Sequence, residues 1–147
     1  MALPKRQKQR VWLIIGFLVV GYAASKYDPV AATSTNNQTS NFEQVFQQRQ
    51  SDVQLELDAT VSKLLPDDTK GLRHQRFIIK LDNGHTILVA HNIDLAPRID
   101  SLKIGDNVTV FGEYEWNEKG GVIHWTHHDP ANKHIGGWIR HQGSQYQ

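Results

Sequence analysis

The fold can first be inferred from residues 112–130, Gly-Glu-Tyr-Glu-Trp-Asn-Glu-Lys-Gly-Gly-Val-Ile-His-Trp-Thr-His-His-Asp-Pro. Apolar and polar side chains alternate on both sides of a central segment rich in turn-forming residues, Asn117–Gly121. Alternation with a period of two is typical of strands, and the two glycines allow the positive φ angles of a tight turn. The segment therefore predicts a β-hairpin that runs on into a histidine cluster.

The register of this hairpin follows from the length of its loop. If Glu118 and Lys119 form a two-residue loop, the pairs can be counted back from the turn. The facing pairs are then Tyr114 with Ile123, Glu113 with His124, and Gly112 with Trp125. We expect the Trp125 ring to cover the missing side chain of Gly112, and the Glu113 carboxylate to favour a charged His124.

Further strands are predicted upstream of the hairpin. Apolar residues alternate from Val53 to Val61 and from Phe77 to Leu81, and a third strand covers Ile87–Ala90. The fourth strand runs from Asp106 to Trp116 into the hairpin. A short helix is predicted for Asp94–Leu102, because Asp94 suits an N-cap and a proline stands in the first turn.

This order of elements predicts an all-β fold, a small five-stranded OB-fold-like barrel spanning residues 52–147 with a histidine-rich C-terminal tail. A small sandwich or another kind of barrel is the alternative. The barrel is expected to follow a polar linker with a short helix, residues 26–51, in which Ser40 is the predicted N-cap. A short apolar stripe on that helix suits packing on the domain better than binding to a partner.

The first 25 residues have the pattern of an export signal. A basic segment, Lys5–Arg10, precedes fourteen mostly apolar residues, 11–24. Two outcomes stay open: an uncleaved signal anchor in the bacterial inner membrane, or a cleaved signal peptide. In the first, residues 11–24 form a single membrane pass with the domain in the periplasm; in the second, the domain is secreted to the periplasm.

Composition excludes several kinds of site. The 147 residues suffice for one domain with an extension, and the absence of cysteine rules out disulfides, thiolate metal sites and a cysteine nucleophile. Residues 1–51 carry 6 Lys/Arg and 2 Asp/Glu, a charge of +4, which leaves 10 Lys/Arg and 13 Asp/Glu, a charge of −3, for residues 52–147. An acidic domain disfavours nonspecific nucleic-acid binding, because the phosphate backbone attracts basic proteins.

Several strings in the domain resemble a bacterial family known as domain of unknown function 3465. The resemblance covers roughly residues 53–147 and implies a small extracytoplasmic bacterial protein, with no activity or catalytic residues to carry over. The strings are Arg-His-Gln-Arg-Phe at 73–77, Ala-His-Asn-Ile-Asp-Leu-Ala-Pro-Arg-Ile at 90–99, Gly-Glu-Tyr-Glu-Trp-Asn at 112–117, Gly-Val-Ile-His-Trp-Thr-His-His-Asp-Pro at 121–130 and Gly-Trp-Ile at 137–139.

The C-terminal histidine cluster has two interpretations. Imidazole nitrogens and a carboxylate oxygen are ligands for a divalent transition metal such as zinc, although the spacing matches no established zinc motif. The alternative is that hydrogen-bonding histidines fasten the tail over the barrel. The candidate metal ligands are His124, His127, His128, Asp129 and His134, and the candidate catalytic residues are His127, His128 and Glu113.

A second candidate surface lies on the second strand, the usual ligand face of an OB-fold. Basic side chains there suit an anionic ligand, and two tryptophans suit stacking on a ring. Solvated strand positions and ordinary core packing are the alternatives. The candidate ligand-binding residues are Arg73, His74, Arg76, Trp116 and Trp138.

Three functions are compatible with these patterns. The first is an extracytoplasmic OB-fold-like binding module with an anionic or oligomeric ligand. The second is a metal-dependent hydrolase or nuclease that uses the histidine cluster, and the third is a structural protein that recruits an envelope partner. The missing metal motif counts against the enzyme, and the acidic charge counts against generic nucleic-acid binding.

Overall fold

The computed structural model describes residues 30–147, with side chains from residue 37 onward. The compact unit that carries the strands comprises residues 35–147. The predicted signal segment, residues 1–25, lies outside the described residues. Among the described helices, none is long and apolar enough to cross a membrane.

One helix and seven strands make up the described chain. The helix belongs to the segment before the barrel, and the last two strands belong to the predicted tail. The elements are α1 (Val30–Gln47), β1 (Val53–Leu64), β2 (His74–Lys80), β3 (Thr86–Asn92), β4 (Asn107–Glu115), β5 (Val122–His124), β6 (Trp138–His141) and β7 (Ser144–Tyr146).

The first five strands close into a barrel. Neighbours in the sheet follow the order β1-β2-β3-β5-β4, and β4 pairs again with β1. All these pairs are antiparallel except β3 with β5, which is parallel. The 12-residue β1 serves both neighbours because Val53–Thr60 pairs with β4, whereas Thr60–Leu64 pairs with β2 through an irregularity after Val61. The predicted five-stranded β-barrel is confirmed.

The predicted hairpin register is also confirmed. Tyr114 pairs with Ile123, and Glu113 pairs with His124. Tyr114 points into the barrel with no exposed surface and donates its hydroxyl hydrogen to the carbonyl of Gly120, which closes the hairpin end of the core.

The prediction that the Trp125 ring covers Gly112 is wrong. β5 ends at His124, and Trp125 has a φ of 53°, in the left-handed region. The chain therefore turns out of the strand before Trp125 can face Gly112. A side chain at Gly112 would instead meet the carbonyl oxygen of His124 and the side chain of Thr126.

The helix α1 begins at Val30, well before the predicted N-cap Ser40. Neither glycine nor proline occurs from Val30 to Gln47 to interrupt a helix. The predicted packing of its apolar stripe on the domain is confirmed, because Phe42 is fully buried in the core. Its ring meets that of Tyr114 edge to face, with the centroids 5.4 Å apart.

The predicted helix over Asp94–Leu102 is absent, and the segment is a series of turns. The buried side chain of Gln75 forms hydrogen bonds with both backbone polar groups of Ile99 in this segment. Its Nε2 donates to the carbonyl of Ile99, and its Oε1 accepts from the Ile99 amide. A tertiary partner has thus replaced the hydrogen bonds that a helix would have formed.

The tail adds two strands that the alternation did not reveal. One edge of β4 is shared: β6 pairs with Val108–Phe111, and β5 pairs with Glu113–Glu115. At the junction, a side chain at Gly137 would meet the backbone carbonyls of Trp125 and Phe111. Glycine is therefore required for β6 to approach β4 this closely.

Candidate functional site

A cleft of about 210 Å³ opens on the outside of the barrel, where β2, β3 and the end of β5 meet. His74 and Asn92 face each other across β2 and β3, and both contribute to the wall. The lining residues are Leu72, His74, Ala90, Asn92, Leu95, His124, Trp125 and His127.

The cleft combines imidazoles with apolar side chains. Leu72 and Leu95 stand at it with 62% and 43% of their surface exposed, unusually open for leucine. Trp125 adds an aromatic ring that lies 5.2 Å from the ring of His127, centroid to centroid. No acidic side chain is among the lining residues. The lining can therefore take a partly apolar group and donate hydrogen bonds to it.

Two carboxylates converge on His124 from the neighbouring strand. Its Nε2 lies 3.6 Å from Oε1 of Glu113 and 3.7 Å from Oε1 of Glu115. The two glutamates stand two residues apart on β4, so both project from the same, outward face. Within the described chain, these are the three residues whose ligand atoms come together closely enough to hold a metal ion, all within 4.8 Å of one another.

His134 forms a hydrogen bond with Oε2 of Glu113, the carboxylate oxygen that does not face His124. Its Nε2 lies 2.6 Å from Oε2 of Glu113, and its Nδ1 lies 2.8 Å from the carbonyl oxygen of Ile135. Both partners are acceptors, so both ring nitrogens carry hydrogen. Burial opposes the charged imidazole, but the bonds to Ile135 and Glu113 outweigh it and raise the pKa of His134. The ring also stacks on Trp125, with centroids 4.1 Å apart.

Asp129, a predicted metal ligand, organises the tail loop instead. Its carboxylate accepts hydrogen bonds from the backbone amides of Ala131, Lys133 and His134. These bonds, that from Ala131 first, lower the pKa of Asp129. Both carboxylate oxygens are thereby used within the loop.

The other predicted ligands are dispersed. His127 is buried, and its Nδ1 lies 2.8 Å from the carbonyl oxygen of His128, whereas the His128 side chain is exposed. Of the five predicted metal ligands, only His124 belongs to the converging group. The three predicted catalytic residues are not brought together in one site. Glu113 faces His124, His127 lines the cleft, and His128 is exposed.

Two histidines of the tail do fasten it to the barrel, as the alternative interpretation predicts. His134 bonds to Glu113 on β4, and His141 on β6 bonds to Asp106 just before β4. Their partners are carboxylates, so these bonds are charge-assisted when the imidazole is protonated.

The two arginines predicted to bind a ligand are engaged within the chain. Arg73 forms an ion pair with Asp94, with Nε 2.7 Å from Oδ1. Arg76 donates from Nε and Nη2 to the carbonyl of Pro66. Each arginine thus holds a loop, and of the three basic residues predicted to bind a ligand (Arg73, His74 and Arg76) only His74 lines the cleft.

The two tryptophans predicted to bind a ligand pack against neighbours. Trp116 lies beside Phe46 of α1, with Arg49 5.0 Å over its ring, and its Nε1 is buried without a hydrogen-bond partner. Trp138 lies under the guanidinium of Arg140 at 4.0 Å. Both rings therefore contribute to packing around the barrel.

Comparison with known proteins identifies the family. The family described as Protein of unknown function (DUF3465) matches residues 25–147. The chain belongs to this family. No curated protein matches its sequence. The predicted resemblance is confirmed, and within this DUF3465 protein the match includes the whole barrel and α1.

The sequence predictions missed Glu115, Leu72, Leu95 and Trp125. A signal for Glu115 was present, because Glu113 and Glu115 alternate on one face of β4 and the hairpin register places His124 opposite Glu113. The two leucines stand in connecting loops, where no periodic pattern reports which way a side chain points. Their position at the cleft is decided by the fold.

Proposed function

We propose that this DUF3465 protein is an OB-fold binding module and that the cleft beside His74 is its ligand site. The closed order β1-β2-β3-β5-β4 is the one expected of a five-stranded Greek-key barrel of this class. OB-folds bind their ligands on the face of the second and third strands with the flanking loops. His74, Ala90 and Asn92 are on those two strands.

The observation that carries the proposal is the composition of the cleft wall. Three imidazoles, of His74, His124 and His127, line one depression together with the Trp125 ring. The N–H groups of imidazoles donate hydrogen bonds to anions. A ligand with an anionic group and a flat or apolar part is the chemistry that this wall fits.

The size of the cleft limits what can enter it. About 210 Å³ is below the range of roughly 300–1,000 Å³ that drug-sized ligands occupy. The cleft therefore takes one ring-sized group, either a small molecule or one unit of a longer chain. The exposed Leu72 and Leu95 offer apolar contacts for the adjoining part of such a ligand.

An NMR titration with phenyl phosphate tests this proposal. In ¹⁵N-labelled protein containing EDTA, saturable shifts should centre on the amides of residues 72–74, 90–95 and 124–127. The variant His74→Asn should weaken binding, and His128→Asn, which changes an exposed histidine, should not. Shifts spread over the surface, or none, would refute the cleft as the site.

Metal-dependent hydrolysis is a second candidate function. The observation that favours it is His124, which lines the cleft and also faces Glu113 and Glu115. Hydrolysis of bis(4-nitrophenyl) phosphate in the presence of Zn²⁺ or Mn²⁺, lost in Glu115→Gln, would support an enzyme. No turnover above that of the free ions would leave binding as the function.

We also propose that the barrel works outside the cytoplasm, in the periplasm. The support is the basic segment Lys5–Arg10 followed by the apolar residues 11–24. Fractionation of cells producing the full chain should place the barrel on the periplasmic side, where protease added to spheroplasts can reach it. Recovery with the cytoplasmic fraction would contradict this proposal.

A further inference from the structure

We propose that Glu113, Glu115 and His124 form a binding site for one divalent transition-metal ion on the outer face of the β4–β5 hairpin. This site goes beyond the proposed binding function and does not depend on which ligand enters the cleft. It differs from the metal site predicted from the sequence, because only His124 belongs to both sets of ligands and Glu113 and Glu115 are new.

The distances from the His124 nitrogen to the two carboxylate oxygens are close to those around a coordinated ion. Metal–ligand bonds of about 2.0–2.2 Å at tetrahedral angles place two ligand atoms about 3.4 Å apart. The Nε2 of His124 lies 3.6 Å and 3.7 Å from the two carboxylate oxygens. Both distances from Nε2 exceed the coordinated spacing by only a few tenths of an ångström, and all three ligand atoms lie within 4.8 Å of one another.

The unsatisfied Nε2 of His124 also supports a metal ion at this site. This nitrogen is buried and has no hydrogen-bond partner. Distances of 3.6 Å and 3.7 Å exceed the usual length of an N–H···O bond to either carboxylate. A buried polar atom without a partner is costly and rare in folded proteins. A metal ion between the nitrogen and the two oxygens would satisfy all three atoms at once.

Charge and donor type define the class of ion. Two carboxylates balance the charge of a divalent cation, and both project from one face of β4. An imidazole nitrogen favours zinc, iron, nickel or copper over calcium and magnesium, which prefer oxygen ligands. Three protein ligands also leave coordination positions for water or another molecule, as in catalytic zinc sites.

The surroundings hold the ligands in place. The second oxygen of Glu113 already accepts a 2.6 Å bond from His134, which leaves Oε1 to face His124. The His134 ring is itself stacked on Trp125 and bonded to the carbonyl of Ile135. Hydrogen bonding of a ligating carboxylate by an outer residue is a regular feature of metal sites.

Titration of the EDTA-treated full-length chain with Zn²⁺ and Co²⁺ tests the site. Calorimetry should show saturable binding of one ion per chain, and Co²⁺ should give the visible absorption of a protein-bound ion that Zn²⁺ displaces. The variants Glu115→Gln and His124→Asn should weaken binding by more than the roughly 10–100-fold loss typical of residues that only support a ligand. Glu115→Gln is nearly isosteric, and the Glu115 carboxylate faces His124 at 3.7 Å, beyond hydrogen-bond length, so the variant should fold normally.

Two control variants match these changes outside the site. Glu118→Gln removes a carboxylate from the exposed hairpin turn, and His128→Asn removes an exposed imidazole. Both should bind Zn²⁺ as the unaltered chain does. Absence of saturable binding in the unaltered chain, or binding that survives Glu115→Gln and His124→Asn, would overturn the proposal. Phenyl phosphate binding in EDTA is a separate readout, so either proposal can fail alone.

Discussion

His141 on β6 donates a hydrogen bond from Nε2 to Oδ2 of Asp106, across 2.7 Å. The His141 side chain is completely buried, and its Nδ1 lies 3.5 Å from the hydroxyl of Ser101. The same carboxylate oxygen of Asp106 accepts from the amide of Lys103. One carboxylate thus joins the turn before β4 to the strand that the tail adds to the sheet.

Replacing Asp106 by asparagine should make stability less sensitive to acid. The hydrogen bond from His141, followed by that from the Lys103 amide, lowers the pKa of Asp106 below its ordinary value of 3.8. A carboxyl with a lowered folded-state pKa stabilises the fold above its unfolded-state pKa and loses this contribution as the pH falls through the folded-state value. In urea titrations below about pH 4, the unfolding free energy of Asp106→Asn should therefore fall less steeply than that of the unaltered chain.

The exposed carboxylate of Glu118 provides the control for this experiment. Glu118→Gln should retain the original slope of unfolding free energy against pH. Equal slopes for Asp106→Asn and the unaltered chain would show that the bond to His141 makes no pH-dependent contribution.

His91 should make the fold less stable as the pH falls through the range just below neutrality. Its Nε2 donates to the carbonyl of Pro97, and its Nδ1 accepts from the hydroxyl of Thr126, an arrangement that fits the neutral ring. Burial is the largest cause that lowers the pKa of His91 below 6.5. The unfolded chain therefore takes up a proton before the folded chain does, and stability is lost as the pH falls below about 6.5.

The variant His91→Gln should show a smaller loss of unfolding free energy between about pH 7 and pH 5 than the unaltered chain. His128→Gln, at an exposed position, should keep the original dependence. The measurement is urea denaturation at several pH values, supported by an NMR titration of the imidazole protons. An NMR pKa for His91 at or above 6.5 would contradict the prediction.

Removing the ring of Phe42 should destabilise the barrel strongly. Phe42 is fully buried between α1 and the barrel, with its ring 5.4 Å from that of Tyr114. Truncation of a buried phenylalanine to alanine costs about 3–5 kcal/mol, because apolar burial is lost and a cavity remains. Chemical denaturation should show a loss of this size for Phe42→Ala. Phe46→Ala, at a half-buried position of the same helix, should cost less. A loss below about 1 kcal/mol for Phe42→Ala would mean that α1 contributes little to the core.

A methyl group at Gly137 should disturb the junction of β5 and β6 on β4. It would meet the backbone carbonyls of Trp125 and Phe111, which no side-chain rotation can relieve. Gly143→Ala is the matched control, because its φ of 80° is strained for alanine but the surrounding space is open. The control should cost roughly 1–2 kcal/mol. Gly137→Ala should cost more and should also reduce the hydrogen-exchange protection of the β6 amides. Equal costs with unchanged protection would contradict the close approach.

The barrel strands and the hairpin could be predicted because their information is local. Alternation along β1, β2 and β4 places the buried residues on one face, and the turn length sets the register of Tyr114 against Ile123. The extra strands β6 and β7 could not be predicted in this way. They are 4 and 3 residues long, too short for a periodic pattern to stand out.

The candidate site could be predicted only in part. Histidine richness indicated metal or hydrogen-bonding chemistry, and the register indicated the contact of Glu113 with His124. Within the tail, the carboxylate of Asp129 accepts hydrogen bonds from amides of its own loop, and His134 bonds to Glu113. Several hydrogen-bond partners compete for each of these two side chains in the folded tail. The residue type alone does not predict which partner each side chain takes.

The sequence by itself determined the barrel and its inward-facing residues, because side chains alternate between the two faces of a strand. It also determined the pairing across the hairpin, because a short turn allows few geometries. The tertiary structure alone decided that β6 shares an edge of β4 with β5 and that Glu115 joins Glu113 at the nitrogen of His124. These contacts join residues far apart in the chain or on different strands. Their distances are set by how the whole sheet twists and closes, and no local pattern contains that information.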